Sequence, residues 1–469
     1  MKRRDFLKTM GAGAAALTLP RNLLHAENVK SKQHKNILLY VVDDQGTTDA
    51  GCYGNKVIKT PGLDLLAKNG TRFTNGFCTT ASCSPSRSVI LTGKHNHATG
   101  MYGLNHKIHH FTSFDSVKSL PNLLGKEGYE TISVGKYHVG PEKVYHFDKY
   151  LKTHAPLTMA DECKEAILES DKSNKPFFIY FCTHEPHRPF IRDGSDKINP
   201  ADVIVPPFLP DTKEVREELA EYYMSVQRGD SGLLKMIEIL KQTGHWDDTL
   251  IIYVSDNGMP FPGAKTTLYE PGMKLPCVVR DPFQSKKGVV CDGMVSWTDI
   301  APSILDYAGI KYDKSEFHGR SFIPILSEEK PKGRDEVFGS HTFHEVTMYY
   351  PTRVVRERQY KLIWNLAYPL EFPTANDIWK SKTWQSVLKK DSQKFGKRTM
   401  DSFLHRPEFE LYDIKKDPDE INNLAGDPKY AKILEELKEK IKKFQEGTKD
   451  PWIVKWKRKA GYLPGSIPM

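Results

Sequence analysis

Cys83-Ser84-Pro85-Ser86-Arg87-Ser88-Val89-Ile90-Leu91-Thr92-Gly93 is the stretch around which this 469-residue chain is organised. Pro85 suits the first turn of a helix, where no N–H is needed, and the residues after it suit a short helix. Cys83 and Arg87 are four apart and share one face of the helix start. A helix N-terminus with an arginine beside it attracts anions. A buried cysteine beside a surface arginine would give the same letters, so the stretch gains meaning only if the rest of the chain supplies partners.

Four strand-like runs, three of them continuously apolar, supply them. Asn36–Val42 ends in Asp43-Asp44, and Tyr129–Val134 leads into Gly135-Lys136-Tyr137-His138-Val139-Gly140. Pro176–Cys182 leads into Thr183-His184-Glu185-Pro186-His187-Arg188-Pro189, and Thr249–Ser255 ends in Asp256-Asn257-Gly258. Continuous apolar runs are what strands buried on both faces require. Ligands of α/β sheets bind beyond the C-terminal ends of the strands, so four polar endings predict one shared site. Lys136 and His138 alternate by two and would point the same way in an extended loop. Asp43-Asp44 alone also reads as a turn pair. With Asp256 and Asn257 it makes an all-oxygen set, which suits calcium or magnesium rather than zinc. Between the first two runs, Thr60-Pro61 opens a helix that Gly70 can close.

The spacing Cys-x-Pro-Ser-Arg followed by Thr-Gly resembles the modification motif of the type I sulfatase family. Members oxidise that cysteine to formylglycine, whose hydrate is the nucleophile. The resemblance runs from about Asn36 to Trp452 and implies an alkaline-phosphatase-like α/β sulfatase fold. That fold is a large, central, mostly parallel sheet flanked by helices, plus a smaller C-terminal α+β domain with an antiparallel sheet. The C-terminal motifs Glu410–Asp413, Asp417–Glu420 and Asn423–Ala425 belong to it. Residue by residue, the resemblance implies that Asp43, Asp44, Asp256 and Asn257 hold Ca2+, with position 83 also at the metal. It implies that Arg87, Lys136 and Lys265 (the lysine before Thr267-Leu268-Tyr269-Glu270-Pro271-Gly272) neutralise sulfuryl charge. His187 would protonate the leaving group and His138 would deprotonate the sulfo-enzyme. A formylglycine-generating maturation enzyme is the implied partner.

Further stretches narrow the likeness. Gly100–Leu104 with His109-His110-Phe111, and His344–Met348 with Tyr350-Pro351 and Arg353, are similar to the heparan N-sulfatase (sulfamidase) branch of the family. This implies action on the N-sulfated glucosamine at the non-reducing end of heparan sulfate or heparin oligosaccharides. His109, His110, His184, His344, Glu345 and Arg353 become candidate substrate-pocket residues. Glu345 reads equally as a sugar ligand or a salt-bridge partner, and His184 as a ligand or a buried supporting histidine. Alternatives sharing the same residues are an O-sulfatase on heparan or another glycosaminoglycan, a related phosphohydrolase, and a non-catalytic sugar-binding protein. Lys265 stands where lysosomal sulfamidases carry arginine, which holds an anion by a planar fork rather than a point charge. Glu185 replaces an aspartate, and Pro189–Asp202 is shorter than in those enzymes.

Composition fits this picture. A hydrophobic content of 39% with 27% charged residues reads as globular, and a net charge of +9 favours acidic partners such as a sulfated polysaccharide. No basic run interleaved with aromatics points to nucleic acid. Residues 1–26 read as an export signal: Arg3-Arg4-x-Phe6-Leu7-Lys8 resembles a twin-arginine signal, with cleavage expected near Ala26 and a periplasmic product. The apolar run Met10 to Leu19 is too short for a stable membrane span. Residues 32–335 read as the catalytic domain and 336–469 as a C-terminal subdomain contributing to the substrate pocket. Seven scattered cysteines form neither a zinc pattern nor an assignable disulfide framework.

Overall fold

In the computed structural model, which describes residues 35–190, 197–390 and 392–457, the apolar run Asn36–Val42 is strand β1. Its neighbours are β2 (Thr71–Phe77), β3 (Glu130–Gly135), β4 (Lys149–Leu151), β5 (Phe177–Cys182), β6 (Thr249–Ser255), β7 (Lys274–Arg280) and β8 (Val289–Ser296). They form an eight-stranded sheet in the order β4-β3-β5-β1-β6-β7-β2-β8. Only β7 runs against its neighbours; the remaining pairings are parallel. The four strands legible in the sequence are therefore consecutive, β3-β5-β1-β6, and their C-terminal ends lie along one edge.

Alternation explains why β1, β5 and β6 are apolar almost throughout. Ile37, Leu39 and Val41 face one buried cluster with Phe178, Tyr180, Ile252 and Val254. Leu38, Tyr40 and Val42 face the other with Ile179, Phe181, Ile251 and Tyr253. Helices cover both faces, so every residue of β1, β5 and β6 is shielded from water, and each fully buried Leu, Ile or Val contributes about 1.5–3 kcal/mol. Tyr40, the polar tip among them, donates its hydroxyl to Gly229 O at 2.7 Å on the long helix Lys213–Gln242.

A second, antiparallel sheet is built from β9 (Glu336–Phe343), β10 (Tyr349–Glu357) and β11 (Tyr360–Asn365). After the short pair β12 (Lys394–Phe395) and β13 (Arg398–Thr399), β14 (Phe409–Asp413) completes it in the order β14-β11-β10-β9. The helix Ala431–Gly447 lays Leu437 and Ile441 on Leu362, Trp364 and Leu411 of this sheet. The described residues, from Lys35 onward, form one compact unit. The expected export signal, residues 1–26, lies outside the described residues. All seven cysteines are free thiols, so no disulfide contributes.

Buried histidines tie the short helix Asn96–Thr99 to the second sheet and the C-terminal helix. His97 Nδ1 bonds Ser340 Oγ of β9 and its Nε2 bonds Thr448 Oγ1 beyond the C-terminal helix, both at 2.8 Å. His95 stacks on His97 and meets the edge of Phe444. Burial pushes the His97 imidazole down to about 3, and burial with Lys94 pushes His318 down to about 4. Both are neutral in the fold, whereas the unfolded chain takes up protons below about pH 6.5. Stability present above pH 6.5 is therefore lost as pH falls toward 4, by up to about 1.4 kcal/mol per pH unit for each such histidine. Denaturant melts of wild type and His97→Gln between pH 7.5 and 4.5 check this. The wild type is expected to lose stability more steeply, and parallel curves would refute the assignment.

Candidate active site

The helix Cys83–Thr92 begins directly below the C-terminal edge of the large sheet, and all ten of its residues are buried. Its buried hydroxyls are satisfied within the protein, as burial requires. Ser86 Oγ donates to Asp256 O at 2.5 Å, and Ser88 Oγ bonds Tyr145 OH at 2.7 Å. Ser82, at the N-cap, does not close the helix. Its hydroxyl bonds His344 Nδ1 at 2.8 Å instead, leaving the first N–H groups of the helix free for a ligand. The helix starts at Cys83, two residues before the expected proline start.

Four carboxylates and three cations converge at this point. Arg87 donates from Nε to Asp256 Oδ2 at 3.0 Å, and its Nη2 lies 2.9 Å from Asp256 Oδ2 and 3.6 Å from Asp43 Oδ1. Lys136 pairs with Asp43. Lys265 lies 2.8 Å from both Asp44 Oδ2 and Asp377 Oδ2. Asn257 donates from Nδ2 to Asp44 Oδ1 at 2.5 Å. Asp44 itself adopts φ 72°, the left-handed region that aspartate tolerates better than most residues. The loop after Asn257 packs tightly: a Cβ at Gly258 would stand 2.0 Å from Pro271 O.

This density of charge sets the ionisation of each group. Burial opposes the Asp43 charge, but Lys136, His187 and Arg87 outweigh it and hold the carboxyl well below the usual range. Burial and the Asp43 charge push Asp256 up to about 7, against Arg87. Burial disfavours a charged Lys265, yet Asp377 and Asp44 keep it firmly protonated. Burial raises the Cys83 thiol well above its ordinary value despite Lys136 and Lys265. Its Sγ lies 3.9 Å from Asp44 Oδ1. A thiol held neutral is not itself an effective nucleophile.

Above this floor opens a cavity of about 960 Å³. Of the residues singled out in the sequence, Cys83, Lys136, His138, His184, His187, Lys265, His109, His344 and Glu345 line it. Asp43, Asp44, Arg87, Asp256 and Asn257 lie buried beneath. His138 faces the cavity although its φ of 50° breaks the extended geometry expected of its loop. His187 Nε2 stands 3.7 Å from Asp44 Oδ2 and 3.6 Å from Asp377 Oδ2, while its Nδ1 donates to Arg188 O. His184 Nε2 bonds His154 Nδ1 at 3.0 Å.

Two expected pocket residues lie elsewhere. Arg353 is fully buried in β10 and paired with Asp450, at 2.8 Å from Nη2 to Oδ1, so it binds the C-terminal segment rather than the cavity. His110 is exposed outside the cavity. Glu345 forms no salt bridge with Arg353; its Oε1 accepts from Asn376 N at 2.9 Å. Sequence reading missed Asp377, Asn376, His106 and His154, all on the cavity wall. Asp377 sits on a four-residue helix, Asn376–Trp379, with no periodic signal. His106 lies inside the stretch whose neighbours His109 and His110 drew attention, and could have been named with them.

Comparison with known proteins agrees with this architecture. Residues 35–310 match the sulfatase family, and residues 264–380 and 388–447 match the family described as N-sulphoglucosamine sulphohydrolase, C-terminal. Residues 1–20 match a twin-arginine translocation pathway signal sequence, which supports export. The human N-sulphoglucosamine sulphohydrolase is 38% identical, with 89% of this chain and 91% of the human protein covered. An ulvan-active sulfatase of Formosa agariphila is 31% identical over 86% of this chain and 78% of its own. Among solved structures, a protein in complex with its substrate D-glucosamine-2-N,6-O-disulfate superposes with a TM-score of 0.67 at 22% identity, covering 90% of this chain and 99% of that one. A 2-O GAG sulfatase gives 0.68 at 21% identity, with 89% and 93% covered. These neighbours establish the alkaline-phosphatase-like sulfatase fold.

Proposed function

The chain belongs to the sulfatase family, and from that premise we propose that it removes sulfate from the N-sulfated glucosamine at the non-reducing end of heparan sulfate or heparin oligosaccharides. A formylglycine derived from Cys83 and a bound calcium ion complete the site. The observation that carries the substrate reading is the origin of the cavity wall. Lys265, His344, Glu345, Asn376 and Asp377 line the cavity, and all fall within the segment matching the N-sulphoglucosamine sulphohydrolase C-terminal family. The human relative of that name is similar along nearly the whole chain.

The donor set fits a hard divalent cation. Ligand atoms of Asp43, Asp44 and Cys83 all lie within 4.8 Å of one another, and oxygens opposite each other on a calcium ion are about 5 Å apart. Asp43 Oδ1 and Asn257 Oδ1 are buried without hydrogen-bond partners, a costly state that a cation relieves. Asp43, Asp44, Asp256 and Asn257 would hold it, with position 83 beside it. When bound, calcium supplies positive charge to the sulfuryl oxygens and to the nucleophile. Formylglycine supplies, as its hydrate, the attacking oxygen that a neutral buried thiol cannot.

The chain's own residues do the rest. Arg87, Lys136 and Lys265 fall one charge short of the four carboxylates Asp43, Asp44, Asp256 and Asp377, so a divalent cation would leave the floor net positive and ready for a sulfate. Lys136 and Lys265 reach the cavity and stabilise the charge that develops on its oxygens. His187 presents Nε2 to the cavity, because its Nδ1–H is committed to Arg188 O; the proton the leaving nitrogen takes is the Nε2 proton of the imidazolium form, which burial and Lys265 oppose and Asp44 favours. His138 Nδ1 is buried and unpaired and accepts a proton from a hydroxyl in the cavity. The twin-arginine match supports action in the periplasm.

Protein co-produced with a formylglycine-generating enzyme is tested on two heparan disaccharides. One carries only an N-sulfate on its non-reducing glucosamine, the other only a 6-O-sulfate. Release from the first alone is expected. Release from the second alone would replace the N-sulfatase reading with an O-sulfatase one, and release from neither, with Cys83 converted, would refute both.

A further inference from the structure

We propose that His106 is a positioning residue for His138 and the outlet through which protons leave the cavity for solvent, an inference that rests on reading His138 as the base of the sulfatase site. His106 Nδ1 lies 2.5 Å from His138 Nε2, with ring centroids 4.6 Å apart and planes inclined by 47°. Two imidazole nitrogens this close share one proton: one ring donates and the other accepts.

The pair has a dry end and a wet end. His138 Nδ1 is buried with no hydrogen-bond partner. The His106 side chain is exposed at the rim of the same cavity. Lys136, Arg87 and Asp43 face His138, and Lys136, His109, Lys107 and His187 face His106. Asp43 is the only anion among them. A second positive charge on either ring is therefore opposed by its surroundings, and burial reinforces this. A base that cannot keep the proton it takes needs an exit for it, and the His106 ring is the group in hydrogen-bond contact.

The transfer balances without a stored charge. His138 Nδ1 takes a proton from a hydroxyl in the cavity while its Nε2 proton moves to His106 Nδ1. The Nε2 proton of His106 passes to water. Each ring stays neutral and changes tautomer, and exchange of protons with water in the opposite sense restores both rings. Lys136 and Arg87, by opposing an imidazolium, make this concerted passage easier than a stepwise one.

Two measurements test the proposal. In unconverted protein that keeps the Cys83 thiol, nitrogen-detected NMR of labelled histidines is expected to find His138 protonated at Nε2 and bare at Nδ1. It should also find a strongly downfield shared proton that His106→Ala removes. Protonation of His138 at Nδ1 would overturn the proposal. In converted enzyme, His106→Ala is expected to lower kcat on the order of 10²-fold with KM unchanged, and added free imidazole to restore much of it. An unchanged kcat, or a loss that imidazole leaves untouched, would overturn it as well. Failure of wild type to release sulfate from any substrate would instead count against the proposed function, and the NMR result would still judge the pair.

Discussion

Cys83→Ala is expected to lower sulfate release at least about 10⁴-fold, the scale on which loss of a nucleophile is felt. Structure gives the reason in two parts. Cys83 is the first residue of a buried helix at the cavity floor, beside Asp44 and between the reach of Lys136 and Lys265. Its thiol is held neutral by burial, so the reactive group at this position is the product of oxidation. Alanine fills nearly the same volume, and the melting temperature is expected to stay within a few degrees of wild type. Thiol counting supplies an independent check. The chain has seven free thiols, so the denatured, converted protein should titrate one fewer than the unconverted one. Activity of the alanine variant within tenfold of wild type would remove Cys83 from the mechanism.

Arg87→Met is expected to damage both stability and turnover. The arginine side chain is fully buried and sits 2.9 Å from Asp256 and 3.6 Å from Asp43. Removing it leaves the buried Asp256 without its nearest cation and Asp43 with Lys136 as its close partner, which costs on the order of 3–5 kcal/mol. Turnover should fall by on the order of 10²–10³, as for loss of one charge-stabilising donor. Arg87→Lys should recover little. Lysine keeps the charge but not the fork that reaches Asp256 through Nε and Nη2 while Nη1 donates to Lys136 O at 3.2 Å. Urea melts read the first effect and sulfate release the second. A stable, active methionine variant would refute the assignment, and full recovery by lysine would leave only the charge, not the geometry, as the cause.

How far the sequence carried depended on how local each signal was. Strands β1, β5 and β6 were legible because both of their faces are buried, which makes their letters apolar almost without interruption, and β3 was legible from Thr131, Ile132 and Val134 ahead of Gly135 despite Glu130 and Ser133. Strands β2, β7 and β8 were not. Thr71-Arg72-Phe73-Thr74-Asn75-Gly76-Phe77 mixes polar letters and breaks register between Phe73 and Gly76. Lys274 opens β7 and Pro276 interrupts it, and Asp292 and Gly293 divide β8. Within the cavity, residues at strand ends could be named because they follow a recognisable strand. Asp377 could not be, since only the fold brings its short helix against Lys265. Arg353 misled because a conspicuous arginine beside motif residues reads the same whether it meets a substrate or, as here, Asp450.

The link between the two sheets has a consequence for motion. Glu270 follows the loop that carries Lys265 and lies between Arg356 and Lys361, at 3.0 and 3.2 Å, while Lys361 also holds Glu420 at 2.8 Å. Tyr269, one residue earlier, donates to Glu410 of β14 at 2.8 Å. Opening either side alone would strand buried charges of the other. The amide protons of β7 and of the β10–β11 ladder should therefore exchange with deuterated water through one common opening rather than two. The lysine loop would inherit the rigidity of a sheet to which it does not belong, and a destabilising change in that sheet would be felt first as a loosened grip on the anion.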